Sequence, residues 1–599
     1  MSLLQENEAP AQAGSLETVS GAEAILDTLI ARGVDTVFGY PGGAALPLYD
    51  ALFHRPALRH VLVRHEQGAV HAAEGYARTT GKLGVVLVTS GPGVANTISG
   101  LLDAMSDSIP VLCISGQVAT SLIGTQAFQE SDAIGMSAPV TKWNAQAARG
   151  EDLPALVHEA VDRAMSGRPG PVLIDVPKDV QLQRVSPTLS AQAQPAKPAR
   201  PAPSTQALDD AARWLMSARA PVLYGGGGLI NSGARACELF TELARRLNLP
   251  TTLTLMGLGA FPASDRQFLG MLGMHGTLEA NQAMHQADLV ICVGARFDDR
   301  ITGKLDQFSP NSRRIHIDID PSSIGRLVRV DAGLHGDCES MLSLLLGRLP
   351  SEDPEPARMD AWWQRIEGWR SRNCLAFTPS SDSILPQHLM SELQAQLEGR
   401  DAIVSTDVGQ HQMWAAQYLK FERPGRWLTS GGAGTMGYGM PAAIGAQVAH
   451  PDATVVCVSG DASILMNIQE LSTAMQHSTP VKVVLCNNGY MGMVRQWQQL
   501  NHDNRISHSW NAALPDFVAL ARACGWQARR VDDPAELAGA IQECLATPVP
   551  FFLDVHVAAL ANCFPMIPSG CSHNQMMLSE QEWFREDAAA SPDQFAAKQ

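Results

Sequence analysis

The sequence predicts an α/β protein of three doubly wound domains with mainly parallel sheets, and three observations predict it. Short, nearly continuous apolar runs recur along the chain, at 85–90 (VVLVTS), 110–115 (PVLCIS), 171–177 (PVLIDVP), 289–295 (LVICVGA), 454–461 (TVVCVSGD) and 481–488 (VKVVLCNN). Runs without apolar–polar alternation suit strands buried on both faces, as in parallel sheets flanked by helices. Helix-like segments separate these runs almost throughout, the alternation that gives α/β architecture. The length of 599 residues holds about three to five domains at roughly 100–200 residues each.

Two stretches divide the chain. Residues 186–206 (SPTLSAQAQPAKPARPAPSTQ) are rich in Pro, Ala and polar residues and read as a linker, and 349–358 (LPSEDPEPAR) opens a second. The expected organisation is a disordered tail over 1–17, a first domain over 18–185, the linker 186–206, a second domain over 207–348, a linker over 349–379, a third domain over 380–565 and a C-terminal tail over 566–599. No short-period repeat or coiled-coil heptad interrupts it.

Composition narrows the function classes. A formal net charge of −16 argues against a nucleic-acid partner, because phosphate binding needs a Lys and Arg surplus. The acidic, polar start lacks the features of a signal peptide, and no run of about 18 apolar residues predicts a membrane span. The eleven cysteines are scattered singly, without a CxxC pair. Several sit in strand-like runs (Cys113, Cys292, Cys457, Cys486), which reads as buried free thiols in a reducing cytoplasm.

The most informative segment begins at Gly460. The strand-like run 454–459 ends at Gly460-Asp461, a helix-like stretch follows, and a second strand-like run ends at Asn487-Asn488. Polar side chains thereby gather at the carboxyl ends of two parallel strands, the edge where open α/β sheets bind ligands. A carboxylate and an amide oxygen suit Mg²⁺, a hard ion that readily bridges phosphates, and the helix after Asp461 points N–H groups at an anion. Alternatively, Asp461 caps a helix and the Asn pair forms a turn; the 27-residue separation and the strand before each half weigh against that. The pattern resembles the thiamine-diphosphate (ThDP) binding motif, GDG followed after 25–30 residues by NN, with Ala462 at the third position.

A ThDP site needs a second group. The cofactor carries the carbanion chemistry, and the protein supplies a carboxylate against its pyrimidine ring to relay a proton in a dry site. RHEQGAVHAAEGYAR (64–78) follows a short strand-like run, and Glu66 is the candidate; Glu74, one helical stretch later, reads as structural. On its own Glu66 would pass for an acid favoured at a helix N-terminus.

Beyond these motifs, residues 18–575 resemble the catalytic subunits of acetohydroxyacid synthases. The resemblance rests on FGYPGGA (38–44), SGPGVAN (90–96), GTQAFQESD (124–132), LMGLGAFP (255–262), GMLGMHG (270–276), GARFDDR (294–300), DVGQHQMW (407–414), GTMGYGMPAAIG (434–445) and GMVRQWQ (492–498), in order. It implies Mg²⁺ held by Asp461, Asn488 and the Tyr490 carbonyl. It implies ThDP contacts at Tyr40, Pro41, Gly42, Glu66, Pro92, Asn96, Val408, Gly409, Gln410, His411, Gly434, Met436, Gly460, Asp461, Ala462, Ser463, Asn488, Tyr490, Met491, Gly492 and Met493. Met436 would be the apolar wedge that bends the cofactor.

The same resemblance implies FAD, in a non-redox role, on the second domain, where GGGG (225–228) follows a strand-like run and RRIHIDID (313–320) ends in acids. The implied contacts are Phe128, Gly225, Gly226, Gly227, Thr254, Leu255, Met256, Met271, Leu272, Gly273, Met274, His275, Gly294, Ala295, Arg296, Asp298, Arg300, Asp318, Ile319 and Asp337. Catalytic roles fall to Glu66, Gln129, Phe128 and Gly43, and substrate contacts to Arg300, Trp497, Lys142 and Met493. Arg300 would hold the acceptor carboxylate, and Trp497 would favour 2-ketobutyrate over pyruvate.

The activity so implied decarboxylates pyruvate and transfers the two-carbon unit to a second 2-ketoacid, in a homodimer or homotetramer with the site between subunits and, in many members, a small regulatory subunit. Pyruvate oxidase, a plain decarboxylase and a non-catalytic paralogue are the rival readings; RFDDR with Trp497 argues against the first two, and the presence of Glu66, Asp461 and Asn488 against the third.

Overall fold

The computed structural model describes residues 18–186 and 204–585. The start read as a disordered tail (1–17), most of the first linker and the last residues of the C-terminal tail lie outside the described residues. Three six-stranded parallel sheets, each flanked by helices, account for the architecture.

The first sheet contains β1 (Thr36–Gly39), β2 (Arg59–Leu62), β3 (Gly84–Val88), β4 (Val111–Gln117), β5 (Trp143–Gln146) and β6 (Val172–Pro177), in the order β2-β1-β3-β4-β6-β5. The second contains β7 (Pro221–Gly225), β8 (Thr251–Leu253), β9 (Phe268–Met271), β10 (Leu289–Val293), β11 (Arg313–Asp318) and β12 (Ala332–His335), in the order β9-β8-β7-β10-β11-β12. The third contains β13 (Ala402–Thr406), β14 (Trp427–Leu428), β15 (Thr454–Gly460), β16 (Lys482–Asn487), β17 (Gln527–Val531) and β18 (Phe551–His556), in the order β14-β13-β15-β16-β18-β17. The first and third sheets thus share one topology. The second has the 3-2-1-4-5-6 order of dinucleotide-binding folds, whose switch point lies between β7 and β10.

The apolar runs that predicted strands are these strands, and β3, β4, β6, β10 and β16 are buried at every position. Register then positions chemistry. Gly460 pairs with Cys486 across β15 and β16, so Asp461 and Asn487-Asn488 leave the sheet edge side by side.

Seven helices matter for the site: α1 (Glu66–Thr80), α2 (Ile98–Asp107), α3 (Asp360–Arg370), α4 (Gln410–Tyr418), α5 (Gly439–Ala449), α6 (Glu470–Gln476) and α7 (Gly492–Asn501). Helix α1 of the first domain packs on α5 of the third at glycine contacts. A Cβ at Gly75 would lie 2.1 Å from the Ala442 carbonyl oxygen, and one at Gly445 would lie 1.9 Å from that of Ala72. Only glycine permits so close a backbone approach.

Two segments, one read as a linker and one as a C-terminal tail, carry more structure than their composition suggested. Within 349–379, α3 buries Trp362, Trp363 and Trp369, and the Trp362 and Trp363 indoles donate to the Pro221 and Asn248 carbonyls of the second domain. Within 566–585, Ile567 N donates to Met274 O, and Gln575–Met577 pairs with Trp583–Arg585 as a short antiparallel ribbon. Pro and acidic residues signal a linker locally, whereas the indoles beyond them find their partners only in the folded second domain.

Candidate active site

A cavity of about 560 Å³ lies between the second and third domains. Its third-domain wall is the carboxyl edge of the sheet: Val408, Gly409, Gln410 and His411 after β13, Gly434 and Met436 in the loop before α5, Gly460, Ala462 and Ser463 after β15, and Asn488, Tyr490, Met491, Gly492, Met493 and Trp497 from β16 into α7. The opposite wall carries Thr254, Leu255, Met256, Met271, Leu272, Met274, His275, Arg296, Asp298 and Arg300. These expected residues therefore converge on one space. Ser430, Gly431, Gly432 and Ile301 line it too and carried no local motif, and Trp414 closes the DVGQHQMW block without having been singled out.

Asp461 is buried at the base of the third-domain wall. Its Oδ2 accepts from Asn488 N (3.0 Å) and Gly489 N (2.6 Å), and its Oδ1 accepts from Asn511 Nδ2 at 3.0 Å. Asn488 Oδ1 accepts from Tyr490 N at 3.1 Å, and Asn488 Nδ2 donates to Gln410 Oε1 at 3.3 Å. The Asp461 carboxylate and the Asn488 amide oxygen, with the carbonyl of Tyr490 two residues on, are oxygen donors of the kind a hard divalent cation takes. Burial pushes the Asp461 carboxyl up to about 6; a cation would offset that desolvation. Asn511 belongs to this cluster, but an isolated Asn 50 residues away gave no sequence signal.

Beside the cluster, α4 begins at Gln410 without a side-chain N-cap, so its free N–H groups face the cavity. His411 is buried, its Nε2 has no hydrogen-bond partner, and burial lowers its pKa to about 3. A neutral imidazole there can donate to an anionic oxygen. Close packing of Gly409 and Gly460 against the His411 ring explains both glycines: a Cβ at either would lie 2.9 Å or less from ring atoms.

On the second-domain wall, Thr254 Oγ1 and His275 Nε2 are buried without partners, the mark of polar atoms awaiting a ligand. Gly225–Gly227 and Gly294-Ala295 form the switch point between β7 and β10; a Cβ at Gly226 would sit 2.5 Å from the Gly294 carbonyl oxygen. Asp318 ends β11, and Ile319 follows it. Asp337 caps the following helix and accepts from Ser232 Oγ at 2.9 Å. Gly273 is clamped by Asn281, whose side chain bonds its N–H and C=O, each at 3.0 Å.

The first-domain candidates lie apart from this cavity. Glu66 opens α1, is 8% exposed, and accepts from Asn96 Nδ2 at 2.9 Å through Oε2. Around it lie Gly42, packed on Thr89, and the Pro92 turn, where a Cβ at Gly93 would be 3.5 Å from Glu66 Oε1. Tyr40 and Phe128 are exposed, Phe128 at 88%, and Gln129 has a left-handed backbone (φ 60°) against Gly91. No residue of the first domain, Tyr40, Pro41, Gly43 and Glu66 included, lines the cavity. Lys142 stands apart: its Nζ donates to the Ser166 carbonyl (2.8 Å) and the Arg163 carbonyl (2.5 Å), which commits it to a helix end.

Glu470, on α6, braces the Glu66 segment from the third domain, accepting from Arg64 N at 3.0 Å and from Thr473 Oγ1 at 2.6 Å. Burial pushes its carboxyl from 4.5 up to about 7. Between those values the folded chain keeps a proton that the unfolded chain releases. The resulting stability is therefore full below 4.5 and lost as pH rises through 7. Glu470→Gln removes this dependence, so across that window the wild-type melting temperature should fall by roughly 5 °C relative to the variant's. A gap independent of pH would contradict it.

Three family models match, described as thiamine pyrophosphate enzyme N-terminal TPP binding domain (residues 19–136), central domain (208–345) and C-terminal TPP binding domain (407–555). The acetolactate synthase isozyme 3 large subunit of Escherichia coli is 48% identical over 577 residues, covering 95% of this chain and 100% of that one. The acetolactate synthase large subunit of Haemophilus influenzae is 45% identical over 584 residues (95% and 99%), and that of Parasynechococcus marenigrum 47% over 572 (94% and 92%). With its three matched domains, its sheet topologies and near-full-length identity to these relatives, the chain belongs to the thiamine-pyrophosphate enzymes and, among them, to the acetolactate synthase large subunits.

Proposed function

We propose that the chain decarboxylates pyruvate and transfers the two-carbon unit to a second 2-ketoacid, pyruvate or 2-ketobutyrate, at the first common step of branched-chain amino-acid biosynthesis. The observation that carries the reading is one cavity lined by Asn488, whose backbone N–H bonds the buried Asp461, and by Arg300 and Trp497. When bound, ThDP supplies the carbanion chemistry at its thiazolium carbon. Asp461, Asn488 and the Tyr490 carbonyl would hold Mg²⁺, and the α4 N-terminus with His411 would receive the diphosphate. The second domain would hold FAD, for which its 3-2-1-4-5-6 sheet and the unpartnered Thr254 and His275 atoms provide support.

Glu66 supplies the proton relay. Asn96 fixes Oε2, leaving Oε1 to hold and pass the proton. Because the first domain contributes nothing to the cavity wall of its own chain, the Glu66 half-site would serve the cavity of a second copy, in a homodimer or a larger homo-oligomer. Gly43, Phe128 and Gln129 would accompany it and close the site against water. Arg300, with its side chain 65% exposed and its nearest acid 3.8 Å away, is available for a bidentate pair with the acceptor carboxylate. Met493 and Trp497, one turn apart on α7, form the apolar side of the acceptor pocket. The relatives' designation as large subunits supports a smaller regulatory partner.

Product analysis tests this reading: with ThDP, Mg²⁺, FAD, pyruvate and 2-ketobutyrate the chain should form acetohydroxyacids, chiefly the 2-ketobutyrate adduct. Acetaldehyde, or acetate with oxygen uptake, would replace it with a decarboxylase or an oxidase. Trp497→Leu should lower the preference for 2-ketobutyrate by about tenfold, the worth of one methylene in an apolar pocket, with the total rate little changed. An unchanged product ratio would remove Trp497 from the acceptor pocket.

A further inference from the structure

The cavity wall includes one segment whose anchorage lies outside its own domain. Ser430, Gly431, Gly432, Gly434 and Met436 line the cavity from the loop before α5. The third domain ties this loop at its ends, through Gln412 Nε2 to Ser430 O (2.9 Å) and Gly437 N to Asp407 Oδ1 (2.8 Å). Between those points the partners come from α2 of the first domain, where Asp103 and Asp107 are one turn apart on one face.

Asp107 accepts from Gly431 N (2.9 Å) through Oδ2 and from Gly432 N (2.7 Å) through Oδ1. Asp103 Oδ1 accepts from Ser430 Oγ and from Thr435 Oγ1 (2.8 Å), and Ser430 Oγ in turn accepts from Thr435 N at 2.8 Å. The approach is too close for side chains, since a Cβ at Gly432 would lie 2.8 Å from Ser106 Cβ. We propose that Asp103 and Asp107 are positioning residues for the cofactor: from the first domain they hold loop 430–435, and through it Gly434 and Met436, in the shape that receives ThDP.

The two carboxyls have different surroundings. Asp107 faces two N–H donors and, at 3.9 Å, the Arg78 guanidinium, surroundings for an anion. Asp103 backs onto Glu74. The outer oxygens of both, Asp103 Oδ2 and Glu74 Oε2, are buried without a donor. The other Glu74 oxygen pairs with His71 Nδ1 at 3.0 Å, and oxygens of both acids and a His71 nitrogen lie within 4.8 Å of one another. Burial pushes both carboxyls well above the ordinary range, which favours a proton held by the pair. Asn is therefore a faithful substitute at 103, accepting from the loop and donating to Glu74. At 107 it is not, because its NH₂ would confront a backbone N–H.

The proposal rests on the reading of the cavity as the ThDP site, and ThDP titration of the Mg²⁺-loaded wild type, followed by tryptophan fluorescence, separates the two: no binding at all would defeat that reading. Given wild-type binding, Asp103→Asn should stay within about twofold of wild type in ThDP dissociation constant, whereas Asp107→Asn and Asp103→Ala should weaken it by about tenfold, the scale of a lost hydrogen bond to a buried group. Equal behaviour of Asp103→Asn and Asp103→Ala, or unchanged binding in Asp107→Asn, would overturn the proposal. Should Asp107→Asn or Asp103→Ala fail to fold, the wild type decides: without ThDP, the Gly431, Gly432 and Thr435 amides should exchange hydrogen as slowly as those of α2. Exchange at the rate of an open loop would overturn the assignment.

Discussion

Glu66→Gln should lower turnover by about 100- to 10,000-fold, the range lost with a positioned proton-transfer group, while ThDP affinity stays within about threefold. The amide preserves the shape of the side chain and its contact with Asn96 but cannot hold and pass a proton. Rates of acetohydroxyacid formation and a ThDP titration on the same preparation check both halves. The variant also tests the shared site. In a hybrid dimer of one Glu66→Gln and one Asp461→Ala subunit, a site built from two chains leaves one cavity with both groups intact and the other with neither. About half of the wild-type activity per dimer should then return upon mixing two inactive proteins. If Glu66 instead served the cavity of its own chain, each site in the hybrid would lack one group and activity would stay near zero.

Asp461→Ala should abolish cofactor binding, raising the ThDP dissociation constant by at least about 100-fold at fixed Mg²⁺. Two losses combine. The oxygen donor set loses its only formal charge, and the buried N–H groups of Asn488 and Gly489 lose their acceptor, each an expense of about 1–3 kcal/mol. The second loss releases the loop that carries the Tyr490 carbonyl. Thermal melts give a direct measure: ThDP with Mg²⁺ should raise the wild-type midpoint, because a ligand at 100 times its dissociation constant contributes about 2.7 kcal/mol, and should leave the variant's unmoved. A retained thermal shift would place the cation elsewhere.

Sequence alone determined the strands and the site's third-domain floor. Buried parallel strands appear as continuous apolar runs, and the Asp461–Asn488 spacing is set within one βαβ unit whose strands are neighbours. The second-domain wall was legible through resemblance, because its loops keep recognisable words such as RFDDR. The structure within the 349–379 linker escaped notice, since Trp362 and Trp363 find their carbonyl partners more than a hundred residues away.

Only the tertiary structure decided three matters. Lys142 is spent on a helix end. Glu66 lies apart from the cavity of its own chain. Loop 430–435 hangs from α2, with partners more than 300 residues distant in sequence. The physical reason is common to all three. Period and local motif report what a residue does within its own element, whereas the partners it meets outside that element depend on where the chain returns in space, which no local pattern records.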